Sequence, residues 1–316
     1  MTENTKTTAD TQTTADTKTA TNTKTATDTA DTADTADTAQ PPGTTTTVVV
    51  TGATGRTGSR VARAAEAAGL TVRAVSRARG FDWRDRSTWA DTLRGADAAY
   101  LAFPTDVGSP EAARAVGLVA REAVSLGVRR LVLLSARGEE RALPAEEALR
   151  DSGADWTVVR AAWFAQNFSE GPLVEELRQA GELVFPGGEV REPFIDLRDV
   201  AEVVVAALTR GDRYVGSTLE VTGPRLLTFG EAVAEVGRAA GRELVYTPVP
   251  ARAYGERLAG FGVPAQEVEL LVAVFESLLD GRNASVTAGV REVLGRPARD
   301  FGEFAREAAG AGVWKA

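Results

Sequence analysis

From Thr46 onward the chain alternates two patterns. Short runs of apolar, often β-branched residues are followed by longer stretches in which apolar side chains recur every three to four positions. The first pattern predicts buried strands over Thr46–Thr51, Thr71–Ser76, Ala98–Phe103, Arg130–Ser135 and Trp156–Arg160. The second predicts helices over Thr57–Ala68, Ser87–Leu93, Pro110–Leu126 and Glu139–Asp151. Gly69, Gly95, Gly127 and Gly153 each sit just past a helix, where a terminating glycine belongs. Such alternation reads as βαβ units building a parallel sheet with helices on both faces and right-handed crossovers.

After Arg160 the rhythm loosens. The pattern predicts a helix over Pro172–Ala180, a short strand over Glu192–Asp196 and an amphipathic helix over Arg198–Thr209. A strand at Thr218–Val221, a helix Phe229–Ala240 capped by Thr228, and a strand Leu244–Val249 follow. The remainder is helical, broken at Gly262-Val263-Pro264 and Arg296-Pro297. This half is expected to pack over the carboxyl ends of the first sheet and close a pocket, because ligands of open α/β sheets bind there.

The stretch Val48 to Arg60 carries the first chemistry. Glycines at 52, 55 and 58 lie between a strand and a helix. Gly52 suits a tight turn, Gly55 lets the main chain approach a ligand, and Gly58 lets the helix pack closely on the strand. The helix N-terminus then offers free N–H groups to a diphosphate. Thr54, Arg56 and Thr57 belong to the same turn. The strand–turn–helix context makes this a dinucleotide signature rather than a bare glycine pattern. The fold class is therefore α/β, a Rossmann-type doubly wound parallel sheet with a smaller C-terminal α+β substrate domain. Residues 44–160 form the NAD(P)-binding core and residues 161–316 the substrate region, some of whose strands return to the sheet.

Strand two ends at Val75-Ser76-Arg77, where an acidic residue would hold a ribose 2′-hydroxyl. Arg77 stands there instead, and a guanidinium matches a 2′-phosphate, which favours NADPH over NADH. The alternative is one more uncommitted surface arginine. Asp82 and Trp83 are expected to follow a short third strand and meet the adenine. Phe103 and Pro104 end the next strand and would wall the nucleotide. Ser135 ends the strand after that, near the nicotinamide. Trp89 reads as packing.

Residues 1–43 are Thr, Ala and Asp in near-repeats ending in Gln40-Pro41-Pro42-Gly43. With almost no large apolar side chains, they are expected to be a disordered tail without a signal peptide. Three lysines and seven acids give this tail half of the formal charge of −8. The body has no basic excess to suggest nucleic acid, and no apolar run suited to a bilayer. With no cysteine and no histidine, disulfides, thiolate sites and the commonest general base are excluded. A cytoplasmic, metal-free protein acting on a small molecule is expected, and a homodimer stays open.

Together these residues resemble the NmrA-like branch of the atypical short-chain dehydrogenases/reductases. The resemblance rests on Thr51-Gly-Ala-Thr-Gly-Arg-Thr-Gly58, Phe81-Asp-Trp83 with Ser87-Thr-Trp89, and Ala99-Tyr-Leu101 with Pro104. It continues through Ser152-Gly153, Asp155-Trp-Thr157, Arg160, Trp163-Phe164, Gln166-Asn-Phe168, Phe194-Ile-Asp196, Asp199-Val200-Ala201 and Thr222-Gly-Pro224. It covers roughly residues 46–300 and is nearest the subgroup of ergot-alkaloid reductases and their bacterial relatives. It implies NADP binding with either reductase activity or redox sensing without turnover. One departure is large. The superfamily's Tyr-x-x-x-Lys would fall on the helix Glu139–Asp151, which holds neither residue; a rarer His–Glu pair would fall at Ala142 and Glu146, and only Glu146 remains.

Reduction of a plain carbonyl needs a positioned acid, whereas an iminium, a quinone or an activated enone accepts hydride with less help. The expected function is thus an NADPH-dependent reductase of such an electrophile, in secondary-metabolite biosynthesis. Ser135 would hydrogen-bond a substrate oxygen, and Glu146 would relay a proton or pair a cationic substrate. Trp163, Phe164 and Phe168 would floor an apolar pocket, with Asn167 as a polar contact. Core packing is the alternative for the aromatics, and a solvated helix face for Glu146. A non-catalytic NADP(H) sensor with a protein partner and a non-redox cyclase or isomerase are the other functional readings.

Overall fold

The computed structural model describes residues 46–104 and 106–315. The tail expected over residues 1–43 lies outside the described residues. Strands β1 (Thr47–Val50), β2 (Thr71–Ala74), β3 (Ala98–Leu101), β4 (Arg130–Ala136) and β5 (Asp155–Ala161) form where the apolar runs predict them. Helices α1 (Arg56–Ala67), α2 (Trp89–Leu93), α3 (Ala112–Ser125) and α4 (Leu143–Arg150) intervene. The second half adds strands β6 (Glu182–Phe185), β7 (Arg191–Glu192), β8 (Ser217–Val221), β9 (Leu227–Thr228) and β10 (Val245–Pro248). Its helices are α5 (Pro172–Glu175), α6 (Leu197–Thr209), α7 (Phe229–Ala240), α8 (Ala251–Gly260), α9 (Ala265–Leu278), α10 (Gly289–Leu294) and α11 (Phe301–Gly310).

The main sheet has six parallel strands in the order β2-β1-β3-β4-β5-β8. Successive side chains of β1 point to opposite faces, and both faces are dry. Val48 and Val50 join α1, α6 and α10 in one core, while Val49 joins α2, α3 and α4 in the other. The strand order reverses between β1 and β3, and a crevice opens at such a point. A third core belongs to the second half. It packs Phe168, Phe185, Phe194, Phe229, Phe301 and Trp314 together between α7, α11 and β6. Two small sheets border it, β6 with β10 in parallel and β7 with β9 antiparallel.

Three expectations need correction. No third strand precedes Asp82: a 3₁₀ turn Arg77–Arg79 ends in left-handed Gly80, and only an isolated bridge joins Asp82 to Asp85. The strand expected over Glu192–Asp196 stops at Glu192, because Pro193 offers no N–H to a ladder. The helix expected over Pro172–Ala180 keeps its α form only to Glu175 and then widens into a π turn, Glu176–Ala180. By contrast, Thr228 caps α7 as predicted, in a reciprocal box with Glu231.

Asp199, fully buried on α6, ties that helix to the segment before α11. Its carboxylate accepts from Arg296 Nη2 at 2.8 Å, from the Arg299 backbone N–H at 2.7 Å and from the Arg299 guanidinium. Removing one member of a buried pair strands the other. Asp199→Ala is expected to lower stability by about 3 kcal/mol in urea unfolding, because Glu202 still neutralises the two arginines in part.

Candidate functional site

The turn after β1 is built around one close approach. A Cβ at Gly58 would overlap the Gly52 carbonyl and stand 2.8 Å from Thr51 O. Only glycine lets α1 start this near the strand. Gly52 takes a φ of 64°, which turns the chain. Thr51 locks the turn to the neighbouring strand: its hydroxyl donates to Tyr100 O at 3.0 Å and accepts from the Ala102 N–H at 2.9 Å. The amide groups of the first turn of α1 are left without intrahelical partners and aim at the crevice.

A cavity of about 410 Å³ opens there. Gly52, Thr54, Gly55, Thr57, Arg77, Asp82, Trp83, Phe103 and Pro104 all line it, joined by Ser76, Ala78, Phe81 and Ala102. Trp83 stands edge-on to Phe81 and Phe103, with ring centroids 5.5 and 5.3 Å apart, so this wall of the cavity is a rigid aromatic set. Trp89 is buried, and its indole N–H donates to Asp82 O at 2.7 Å, which is a packing role. Arg77 is exposed at the rim and has no hydrogen-bond or ion-pair partner among the described residues. The glycine turn, the free amides and this uncommitted cation fit a dinucleotide with an anionic group on its ribose.

Other sequence-predicted residues lie elsewhere. Gly58 sits behind the turn, as its packing role demands. Arg56 turns away from the cavity. Its guanidinium donates to Asn167 Oδ1 at 2.6 Å and to Glu170 O at 3.4 Å, so Asn167 spends its carbonyl on a clasp rather than on a ligand. Burial, countered by Glu170 and reinforced by Arg60, lowers the Arg56 guanidinium below its usual value. Phe168 is fully buried among Phe194, Phe229 and Phe301 and has no surface to offer a pocket. Trp163 is half-buried, stacked near Phe275 at 6.3 Å and edge-on to Phe185. Phe164 is half-buried beside the bridge to Ile195.

Ser135 and Glu146 do meet, but in an ionic cluster rather than along the cavity. The Ser135 hydroxyl donates to Glu146 Oε1 at 2.7 Å. Arg160 grips both carboxylate oxygens at 2.8 and 2.7 Å, and Arg150 adds a third cationic contact at 2.9 Å. Burial acts to raise the Glu146 carboxyl, but the Arg160, Ser135 and Arg150 contacts outweigh it and hold the group below its ordinary value. An ionised, fully engaged carboxylate has no proton to relay and no vacancy for a cationic substrate. The solvated-face alternative fails as well, since Glu146 is completely buried. Arg160 goes on to Glu220 at 3.6 Å, and Arg137 meets the same Glu220 at 3.2 Å.

Sequence reasoning missed Glu192. It is fully buried on β7, and neither carboxylate oxygen has a hydrogen-bond partner among the described residues. Burial first, with the charge of Asp280 assisting and that of Arg137 opposing, pushes its pKa up to about 8. Nothing in the sequence signals this, because glutamate on a short strand is ordinarily solvated.

The comparisons bear on this geometry. A family model described as NAD(P)H-binding matches residues 78–211. A reductase of (4-alkanoyl-5-oxo-2,5-dihydrofuran-3-yl)methyl phosphate from Streptomyces griseus is 36% identical over 251 residues, 76% of this chain and 84% of that one. The chain belongs to the NmrA-like branch of the atypical short-chain dehydrogenases/reductases, and is an NAD(P)H-dependent oxidoreductase. Agroclavine dehydrogenase from Claviceps fusiformis is 27% identical over 245 residues, covering 73% of this chain and 83% of its own. The structure of Citrobacter sp. triphenylmethane reductase with NADP(H) shares the fold, with a TM-score of 0.68 at 18% identity, over 83% of this chain and 99% of that one. No helix of this NmrA-like protein, among the described residues, is long and apolar enough to cross a membrane.

Two outcomes test the site. Gly58→Ala is expected to weaken NADPH binding at least tenfold and to cost about 1–3 kcal/mol of stability, since α1 must shift from Gly52; nucleotide fluorescence titration and thermal melting read both. Glu192 holds its proton in the folded state up to about pH 8, whereas the unfolded carboxyl releases it near 4.5. The native state binds the extra proton between those values, so stability falls as pH rises across that window. Glu192→Gln is expected to flatten that fall in denaturant titrations across the same window.

Proposed function

We propose that this protein transfers hydride from NADPH to an electrophilic small molecule, and that an activated enone, quinone or iminium in secondary metabolism is its substrate class. The observation that carries the reading is the glycine-turn cavity with an uncommitted Arg77 at its rim, beside a strand end where Ser135 is held in an ionic cluster with Glu146 and Arg160. Bound there, the dinucleotide supplies hydride. The chain's residues do the remainder. Gly52, Gly55 and the amides at the start of α1 would hold the diphosphate, and Arg77 would pair a 2′-phosphate. Trp83 and Phe103 would wall the adenine. Trp163 and Phe275, half-buried rings of the second half, would cover an apolar acceptor and exclude water.

The relative of highest identity reported above supports the substrate class. The compound in its name is an unsaturated lactone carrying an acyl group, which is an activated enone. Agroclavine dehydrogenase supports a place in secondary metabolism.

Hydride transfer is tested by deuterium from C4-deuterated NADPH, which is expected in the reduced product of an enone or quinone acceptor. NADPH that binds but is oxidised by no acceptor would favour a sensor; product without deuterium would favour non-redox chemistry. Arg77→Glu is expected to weaken NADPH at least tenfold while leaving NADH within about twofold, because only the 2′-phosphate contact is reversed. Equal effects on both nucleotides would remove Arg77 from cofactor choice.

A further inference from the structure

Glu192 is the one buried carboxyl of the described residues that the reading above leaves unused and unpartnered. Its place is set by the backbone around it. β7 pairs Glu192 with Leu227 of β9. Directly afterwards, Pro193 O accepts the Gly223 N–H at 2.9 Å, and Ile195 exchanges hydrogen bonds with Trp163 O and the Ala165 N–H, each at 2.8 Å. Glu192 therefore begins a segment stitched to the chain just beyond β8 and just beyond β5. Its facing cation, Arg137, follows directly on β4. The carboxyl ends of three sheet strands thus meet at Glu192 and the segment it begins, the edge at which open parallel sheets bind ligands.

The charged groups acting on Glu192 are Arg137 and Asp280. Arg137 is already committed: it donates to Glu220 at 3.2 Å, to Asn283 O at 2.8 Å and to Ser285 Oγ at 2.6 Å. Asp280 opposes a negative charge on Glu192. An unpaired carboxylate in such a place would cost several kcal/mol, and the group avoids this by keeping its proton. A protonated carboxyl is an O–H donor, and this one is offered no acceptor by the described residues.

We propose that Glu192 is the proton donor of this reductase, hydrogen-bonding the acceptor oxygen of an enone or quinone and protonating it as hydride arrives at carbon. This rests on the hydride-transfer reading above and narrows its substrate class to acceptors that develop negative charge. Hydride from NADPH forms the new C–H bond, the displaced electron pair moves to oxygen, the Glu192 O–H bond breaks and the product O–H bond forms. The nicotinamide is oxidised, the acceptor is reduced by two electrons, and the carboxylate regains its proton from water. The 280–285 segment, held to Arg137 by Asn283 and Ser285, must part to admit the acceptor.

The test compares wild type, Glu192→Gln and Glu192→Leu with two acceptors: menadione, a quinone that needs a proton, and malachite green, a triarylmethane cation that does not. NADPH fluorescence checks folding and is expected to be unchanged in both variants. Turnover of menadione is expected to fall about 100-fold in both, with malachite green reduced as before. Wild-type menadione turnover is expected to decline above about pH 8, and that limb is expected to vanish in Glu192→Gln. Infrared titration gives a readout without turnover: a protonated-carboxyl stretch absent from Glu192→Gln that disappears near the same pH and shifts when menadione binds. Equal losses on both acceptors, no loss on either, or no such band would overturn the assignment and leave hydride transfer standing. Wild type that reduces neither acceptor while binding NADPH would overturn the hydride reading and this assignment with it.

Discussion

The approach of α1 to the end of β1 is the constraint from which the rest of the structure follows. At Gly58 the helix backbone lies so near Thr51 and Gly52 that no side chain fits between them. Held there, α1 points its free amides into the crevice beside β3 and lays its apolar face on α6. The crossover from β1 to β2 then runs on one face of the sheet, and that from β3 to β4 runs on the other. The reversal between β1 and β3 is thereby fixed, and the cavity lies at it. Thr51 makes the turn cooperative with the sheet, because its hydroxyl bridges Tyr100 and Ala102 at the end of β3.

Two buried glutamates show how environment divides one chemistry into two roles. Glu146 and Glu192 are both fully buried. Around Glu146 stand a serine hydroxyl and two arginines with four hydrogen bonds, and these contacts hold the charge despite burial. Glu192 has only the charge of a committed arginine, opposed by that of an aspartate, and burial wins. The sign of each shift follows from counting donors rather than from depth. The Glu146 cluster also fills the site beside Ser135 with fixed charge, so an acid cannot simply be restored there by one substitution.

Most of the nucleotide-binding half was legible because its signals are local. A β-branched run, a glycine past each helix and alternating sheet faces are set within a few residues, and strands β1 to β5 fall within two residues of expectation at each end. Cavity residues from Gly52 to Pro104 were legible for the same reason, since they end strands whose order the pattern dictates. The misplaced residues depend on partners far along the chain. Arg56 meets Asn167, 111 positions away, and Phe168 is enclosed by rings as distant as Phe301. β6 was missed because its pairing strand, β10, comes after three further strands and two helices. No local pattern reports that a glutamate will be sealed without a donor.

The clasp between the two halves gives the aromatic side of the site its position. Arg56 reaches Asn167, and Arg60 pairs with Glu170, so the first two turns of α1 hold the loop that follows β5. That loop also carries Trp163 and Phe164, and its backbone is stitched to Ile195. Two parts of the proposed site therefore belong to one connected frame: the helix that would receive the phosphates holds the loop that carries Trp163 and Phe164. Arg56, although part of the glycine turn, serves as the strut between them. Its guanidinium already donates to two oxygens, Asn167 Oδ1 and the Glu170 carbonyl. A charge released from that clasp to follow a phosphate would loosen the wall against which the acceptor must lie, so geometry and charge both favour leaving it where it is.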